Sequence, residues 1–270
     1  MTPFDSVIQR LSVALAILLA AAMLAPSAPA SMRLAQDAPP DKRPEIAELV
    51  TKLESLIVKK GAGDVEAIGV IDQLNQEFPK SGPKDRALIV KSLSKCFEQR
   101  RLEPGEEKTI NNKLNLAAAA ALGKMGPEST KVLIGWIGHK DLKKDLAVQQ
   151  WLIKSLGRTH DKDGLKTLVS KLEDKDAPIV SSAAEALGEF SSSDLPTRKS
   201  LFESLLKTLM TAKGSKDQNV NDVIARERYD VIAAPIVTSL GKLAKHDERD
   251  PEKWQTWWNK NRTADWDTLK

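Results

Sequence analysis

The chain has 270 residues, of which 41% are hydrophobic and 29% charged, a composition typical of a folded globular protein and unlike that of disordered or collagen-like chains. With 4% aromatic residues and 14 glycines, it lacks the composition of a many-stranded β-sandwich or barrel, and its abundant Ala, Leu, Lys and Glu favour helices. The net charge is only +4 and both signs are interleaved, so the sequence does not indicate nucleic-acid binding.

The first 30 residues have the organisation of a secretory signal peptide. An apolar run from Leu11 to Leu24 is shorter than the roughly 20 residues that span a bilayer, and it precedes the small-x-small sequence Ala28-Pro29-Ala30. We therefore expect export to the periplasm or the extracellular medium, with no stable membrane span after cleavage. An uncleaved N-terminal anchor is the alternative. Residues 31–44 are polar and proline-rich, which predicts a flexible linker before the fold.

From residue 45 to residue 247, apolar residues recur with the period of a helix. They are spaced i, i+3, i+4, i+7, which places them on one stripe of a helix and would scatter them over both faces of a strand. Gly and Pro residues separate successive sets and predict tight turns between short helices. The four clearest sets begin at Ile46, Leu165, Val180 and Phe202.

Four predicted helices end in the same Leu-Gly pair, at Gly123, Gly157, Gly188 and Gly241. A glycine there either allows a close backbone approach or supplies a left-handed cap. Regular spacing of such ends is typical of helical repeats that stack because a single pair cannot bury its apolar stripe. The prediction is an all-α fold, an α-solenoid of about five stacked antiparallel helix pairs. An irregular helical bundle is the alternative.

The same pattern predicts the structure of two further segments. Ser92-Leu93-Ser94-Lys95 is interpreted as a degenerate fifth member of the Leu-Gly series. The polar stretch from Thr211 to Asp222 falls in the longest interval between two glycines, which predicts a loop inserted between the two helices of one repeat.

One stretch, Ser155 to Phe190, resembles the bacterial HEAT-like repeat of the type found in phycobilisome lyases. That family has a Leu-Gly turn with Asp, a Leu-rich first helix, an Asp-x-Asp turn and an Ala-rich second helix ending again in Leu-Gly. The resemblance implies an α-solenoid and a protein-binding scaffold. It does not carry bilin chemistry, because an exported chain would not meet that intracellular substrate. The matching residues are Asp161, Leu165, Leu168, Leu172, Asp174, Asp176, Val180, Ala183, Ala184, Leu187 and Gly188.

No motif indicates catalysis, a cofactor or a metal, so none of the three is expected. The three histidines, His139, His160 and His246, are far apart and lack zinc-ligand spacing. The segment from Thr159 to Gly164 is faintly similar to a calcium loop but lacks the bidentate Glu, so a turn in which Asp161 caps the next helix is preferred. The single Cys96 excludes an intramolecular disulfide and is predicted to be a buried thiol.

The C-terminal residues 248–270 are rich in tryptophan. Trp254, Trp257 and Trp258 are spaced i, i+3, i+4 and are predicted to lie on one face of a cap helix that covers the last repeat. An exposed platform for a glycan or peptide, or a membrane-interface anchor, are the alternatives. Trp136 and Trp151 fall on repeat stripes and are expected in the core.

Candidate partner-binding residues are therefore Trp254, Trp257 and Trp258, together with the basic pair Lys154 and Arg158. The nearby cluster Lys140, Lys143 and Lys144 is expected to be a solvated face balanced by Asp141 and Asp145. Together these features predict an exported, non-enzymatic scaffold whose partner is another protein. A glycan-binding or small-molecule-binding protein, or an enzyme, with a groove beside the Trp-rich end is the alternative.

Overall fold

The computed structural model describes residues 39–103, 110–219 and 221–269, so the predicted signal peptide and residues 31–38 of the linker lie outside the described residues. Over the described ranges the regular structure is helical, with one isolated bridge between Leu102 and Ile110. The α-helices in chain order are α1 (Pro44–Ile57), α2 (Asp64–Glu77), α3 (Pro83–Ser94), α4 (Lys113–Leu122), α5 (Thr130–Trp136), α6 (Leu146–Arg158), α7 (Leu165–Ser170), α8 (Ala177–Gly188), α9 (Leu195–Gln218), α10 (Val223–Ala244) and α11 (Pro251–Asn261).

The helices stack in two rows, as an α-solenoid requires. We define the A row as α1, α3, α5, α7 and α9, and the B row as α2, α4, α6, α8 and α10. Each B-row helix packs against the next one, and each A-row helix packs against the B-row helix that follows it. This regular nearest-neighbour packing confirms the all-α solenoid and contradicts the irregular bundle. None of the described helices is long and apolar enough to cross a membrane.

Close contacts at the ends of the B-row helices explain the Leu-Gly pairs. Each of the first three glycines faces a small residue that lies two positions before the glycine of the next B-row helix. An added Cβ would lie 2.6 to 2.9 Å from that neighbour, so only glycine permits this approach. The glycines have right-handed φ, which excludes the left-handed cap at these positions. The contacts are Gly123 against Ser155, Gly157 against Ala186, and Gly188 against Ser239.

The assignment of Ser92 to Lys95 as a B-row end is wrong. These residues end α3, an A-row helix that packs between α1 and α5. The B-row neighbour of α4 is α2, which continues into a 3₁₀ turn at Phe78–Lys80 with no Leu-Gly pair. The Leu-Gly pattern therefore does not extend to the first repeat. There, Phe78 is buried at the end of the B-row helix, where the later repeats have leucine and glycine.

The predicted loop over residues 211–222 is wrong as well, because most of it is helical. The α9 helix continues to Gln218, and α10 begins at Val223 with Asp222 as its N-cap. Buried Leu209 and Ala212 hold the extension against α10, and Lys213 pairs with Asp217 one turn away at 2.6 Å. The polar composition reflects an exposed helix surface.

The fold also begins earlier than the predicted end of the linker. Pro44 is already the first residue of α1, and Asp85 accepts hydrogen bonds from the backbone N–H groups of Lys42 and Arg43, both at 3.0 Å. The carbonyl of Pro40 accepts a further bond from Gly82 at 2.9 Å. Residues 40–44 are therefore part of the folded unit, which contradicts their assignment to a flexible linker.

The tryptophan-rich end packs against the last repeat. Trp254 and Trp266 are 0% and 2% exposed, and the indoles of Trp254, Trp257, Trp258 and Trp266 surround the Phe202 ring with centroids 5.2 to 5.6 Å from it. This cluster covers the end of the A row at α9, where no further repeat follows in the described chain.

Ion pairs attach the segment that follows α11 to the last repeat. Arg198, itself 1% exposed, donates to the Asp267 carboxylate at 2.6 Å and to the carbonyl of Leu243 at 3.2 Å. Lys245 pairs with the same carboxylate at 2.7 Å. Hydrogen bonds from Lys245 and Arg198 lower the pKa of Asp267.

Candidate interaction surface

The side of the B row that faces away from the A row carries the most distinctive exposed residues. We call this surface the B face and define it by the exposed stripe of α6, namely Ala147, Gln150, Trp151, Lys154 and Arg158, with the equivalent stripes of the neighbouring B-row helices. On α6 the opposite stripe, which includes Val148, Leu152 and Leu156, is fully buried. The helix period therefore places Trp151 and its neighbours towards solvent.

Trp151 is the central residue of this surface. Its side chain is 37% exposed, and the guanidinium of Arg158 lies 5.6 Å from the centre of its ring, within the range of a cation–π contact. The prediction that Trp151 belongs to the core is wrong. Its spacing from Lys154 and Arg158, i, i+3 and i+7, was the signal that could have placed it on the exposed stripe.

Trp136, by contrast, occupies the predicted core position. Its ring packs against Phe97 with the centroids 5.5 Å apart, and its indole N–H donates to the hydroxyl of Ser94 at 2.9 Å. The half-buried indole thus joins α5 to α3 and has no part in the B face.

Polar contacts fix the B-row helices to one another across the B face. Lys154 of α6 pairs with Glu185 of α8 at 2.7 Å, and Lys242 of α10 pairs with Glu189, just after α8, at 3.1 Å. Such exposed pairs stabilise the fold only slightly, but they define the position of each charge. Lys154, predicted as a partner-binding residue, is therefore already engaged with Glu185.

Large apolar side chains extend the B face on both sides of Trp151. Leu146 at the start of α6 is 39% exposed, and Val231 and Ile224 on one stripe of α10 are 43% and 80% exposed. The helices beside α6 present small side chains, with Ala117 on α4 and Ser181 on α8 half-buried. Because the side chains on the neighbouring helices are small, the Trp151 indole projects beyond them as an apolar protrusion.

The other predicted binding residues lie elsewhere. Trp254 is fully buried, so in this fold it cannot contact a partner, which contradicts its place among the candidate binding residues. Trp257 and Trp258 are half-buried against the core, and the His246 ring stacks on Trp257 with centroids 5.5 Å apart. The structure therefore does not bring the C-terminal tryptophans together with Lys154 and Arg158.

The remaining candidate groups have structural roles. Asp161 accepts a hydrogen bond from the N–H of Asp163 at 3.1 Å as the cap of a short 3₁₀ helix, which confirms the predicted turn. Cys96 is buried as predicted, and burial raises the pKa of its thiol to about 12. Among the described residues, no three His, Cys, Asp or Glu side chains converge as a metal-ligand group would.

These observations define the class of the protein, which is an α-solenoid of stacked helical repeats with an aromatic cap. Residues 142–209 match the family model described as HEAT repeats, and this segment contains α6, α7, α8 and the first part of α9. The match supports a HEAT-like helical repeat over this segment, as the resemblance of residues 155–190 predicted. The comparisons with curated proteins and with solved structures find no match.

Proposed function

We propose that this chain is an exported, non-enzymatic scaffold of the cell envelope or the extracellular medium that binds another protein through the B face. The observation that carries the proposal is the exposed Trp151 with Arg158 beside its ring. Tryptophan and arginine are the residue types most enriched among those that dominate the binding energy of protein interfaces. HEAT repeats commonly mediate protein–protein interaction, which supports a scaffold.

The way in which the B face binds follows from the packing of the B row. Glycine contacts and cross-helix ion pairs hold α6, α8 and α10 in fixed positions before any partner arrives. Little conformational entropy of the backbone is then lost on binding, so the contact area of Trp151 and Leu146 contributes more of its free energy to affinity. Binding of this kind requires no bond to be made or broken.

Site-specific photo-crosslinking tests the proposal. A benzophenone amino acid is introduced in place of Ala147, which is exposed beside Trp151, and as a control in place of Lys166, which is exposed on α7 in the A row. Irradiation in the source cell should give a discrete protein adduct from position 147 only, and Trp151→Ala in the same chain should abolish it. Equal adducts from both positions, or an adduct that persists without Trp151, would contradict binding through the B face.

Export is tested separately. The proposal predicts that the protein recovered from the periplasm or the medium begins near Ser31, and that Leu18→Arg within the apolar run keeps the chain in the cytoplasm with its N-terminus uncleaved. N-terminal mass spectrometry of both fractions measures this. An intact N-terminus in a membrane fraction would favour the uncleaved anchor instead.

A second candidate function, glycan or small-molecule binding, is favoured by one observation. A cleft of about 800 Å³ lies beside the cap, between the second half of α10 and the segment that leads to α11. Its lining includes Val237, Thr238, His246 and Arg249, and His246 stacks on the half-buried Trp257. This volume lies within the range of small-ligand pockets.

Fluorescence quenching separates the two candidates. In a Trp151→Phe background, acrylamide reports on the remaining indoles, of which Trp254 and Trp266 are buried. If the tryptophan-rich end is only a cap, acrylamide should quench its fluorescence weakly, and no soluble oligosaccharide should change that quenching. Strong quenching that a particular oligosaccharide suppresses would favour the ligand-binding cleft.

A further inference from the structure

Basic side chains without an ion-pair partner lie at both ends of α6, one group on each side of Trp151. Lys143, Lys144 and Lys175 line a cleft of about 600 Å³ between the beginnings of α6 and α8. Arg158 lies at the other end of α6. Within the described residues, none of these four cations has a carboxylate oxygen within 4.0 Å.

Of the acidic residues near this cleft, three contact other groups, whereas Asp176 lines the cleft beside the lysines. Asp145 accepts the N–H of Val148 at 3.1 Å as the N-cap of α6, and Asp141 lies 3.5 Å from the imidazole of His139. Asp174 pairs with Lys171 at 3.2 Å. The exposed Lys143 and Lys144 agree with the expected solvated face, and the lysines that line the cleft outnumber Asp174 and Asp176, so its net charge is positive.

The order of these cations along the chain restricts what they bind. Lys143 and Lys144 lie in the turn before α6, whereas Arg158 is the last residue of α6 and its guanidinium lies 5.6 Å from the centre of the Trp151 ring. A segment with one large apolar side chain and a carboxylate on each side of it matches this order of charges.

We propose that the B face binds an extended acidic segment of a partner protein. A large apolar side chain of that segment packs on Trp151, one carboxylate lies among Lys143, Lys144 and Lys175, and the other meets the Arg158 guanidinium. The fork of an arginine is suited to a carboxylate, and unpaired surface cations attract such a segment over about a Debye length, roughly 8 Å at physiological salt. This inference rests on the proposed function and specifies the chemistry of the partner.

Selection from a displayed library of random peptides on the full chain tests the inference. The expected enriched peptides carry Asp or Glu on both sides of a large apolar residue. Their affinity, measured by fluorescence polarisation, should fall at least tenfold in the double variant Lys143→Glu/Lys144→Glu and in Arg158→Glu. Lys166→Glu, an exposed charge reversal on α7, is the matched control and should leave the affinity unchanged. Raising the salt from about 50 to about 500 mM should weaken binding in the parent chain.

The outcomes separate this inference from the proposed function. Enriched peptides that lose binding in Trp151→Ala but carry no acidic residues would overturn the acidic segment and leave the B face as a protein-binding surface. Peptides whose binding is unaffected by Trp151→Ala, or no enrichment at all, would overturn both. Heparin that binds with the same dependence on Lys143, Lys144 and Arg158, and regardless of Trp151, would show a general polyanion site and also overturn the inference.

Discussion

Replacing Gly157 with alanine should destabilise the solenoid although the substitution is small and suits a helix. The added Cβ would lie 2.6 Å from the Cα and 2.7 Å from both the Cβ and the carbonyl oxygen of Ala186. These are backbone atoms and the first side-chain atom of α8, so no flexible side chain can move aside. Restoring van der Waals contact near 3.5 Å requires α6 and α8 to separate locally by about 1 Å.

The expected size of the effect follows from two opposing terms. Overpacking of a close contact costs about 1–3 kcal/mol, and the better helix propensity of alanine returns up to about 1 kcal/mol. We expect a net loss of about 1–2 kcal/mol in the free energy of unfolding. For a folded unit of this size, that corresponds to a melting temperature lower by roughly 2–8 °C in differential scanning calorimetry.

Gly69→Ala is the matched control, since Gly69 is exposed in the middle of α2 and its added Cβ would meet no atom within 4 Å. It should raise the melting temperature slightly. The bulkier Gly188→Val should lower it further than Gly157→Ala, because the first added atom already lies 2.6 Å from the Ser239 hydroxyl, which itself donates to the carbonyl of Ala184 on α8. Equal melting temperatures for Gly157→Ala and Gly69→Ala would refute the role of close B-row contacts.

Three further predictions concern a buried ion pair, a paired surface carboxylate and a buried thiol. Asp64→Ala should cost about 3–5 kcal/mol in urea unfolding because it leaves Arg101 buried and unpaired, and the double variant Asp64→Leu/Arg101→Met should cost less than Asp64→Ala alone. Asp267 has a lowered pKa, so its stabilising effect is complete near neutral pH and is lost as the pH falls through the folded-state pKa. The difference in melting temperature between the parent and Asp267→Asn should thus shrink as the pH falls below the usual Asp pKa of about 4, whereas a constant difference would contradict the charge pairing. Cys96 should react with a thiol reagent only after unfolding, and fast reaction of the native protein would contradict its burial.

The sequence predicted the repeats well where a local signal existed. Leu-Gly pairs at Gly123, Gly157, Gly188 and Gly241 identified four B-row helices, because a glycine near a helix end is a local requirement of close packing. The first repeat was misread because α2 has no such pair. The helical extension of α9 was missed because polar composition suits a loop as well as an exposed helix surface.

The binding surface was predicted only in part, because some of its contacts join residues that are far apart in the sequence. The sequence indicates Lys154 and Arg158, but Trp151, three residues before Lys154 on the same stripe, is predicted in the core because large aromatic residues are mostly buried. Whether a lysine is paired depends on residues far apart in sequence, as with Lys154 and Glu185. The burial of Trp254 around Phe202 likewise depends on a contact between helices that the periodicity of α11 does not specify.

The exposure of Trp151 is a consequence of the same packing that stabilises the fold. Contacts as close as that of Gly157 with Ala186 leave no space for an indole between adjacent B-row helices, so a tryptophan on the outer stripe of α6 has to project into solvent. An apolar side chain in water gives the isolated protein no stability, but it contributes strongly once a partner covers it. Stability therefore depends on the glycines of the B row, whereas binding depends on the B face, and substitutions at the two sets of residues should affect melting temperature and affinity independently.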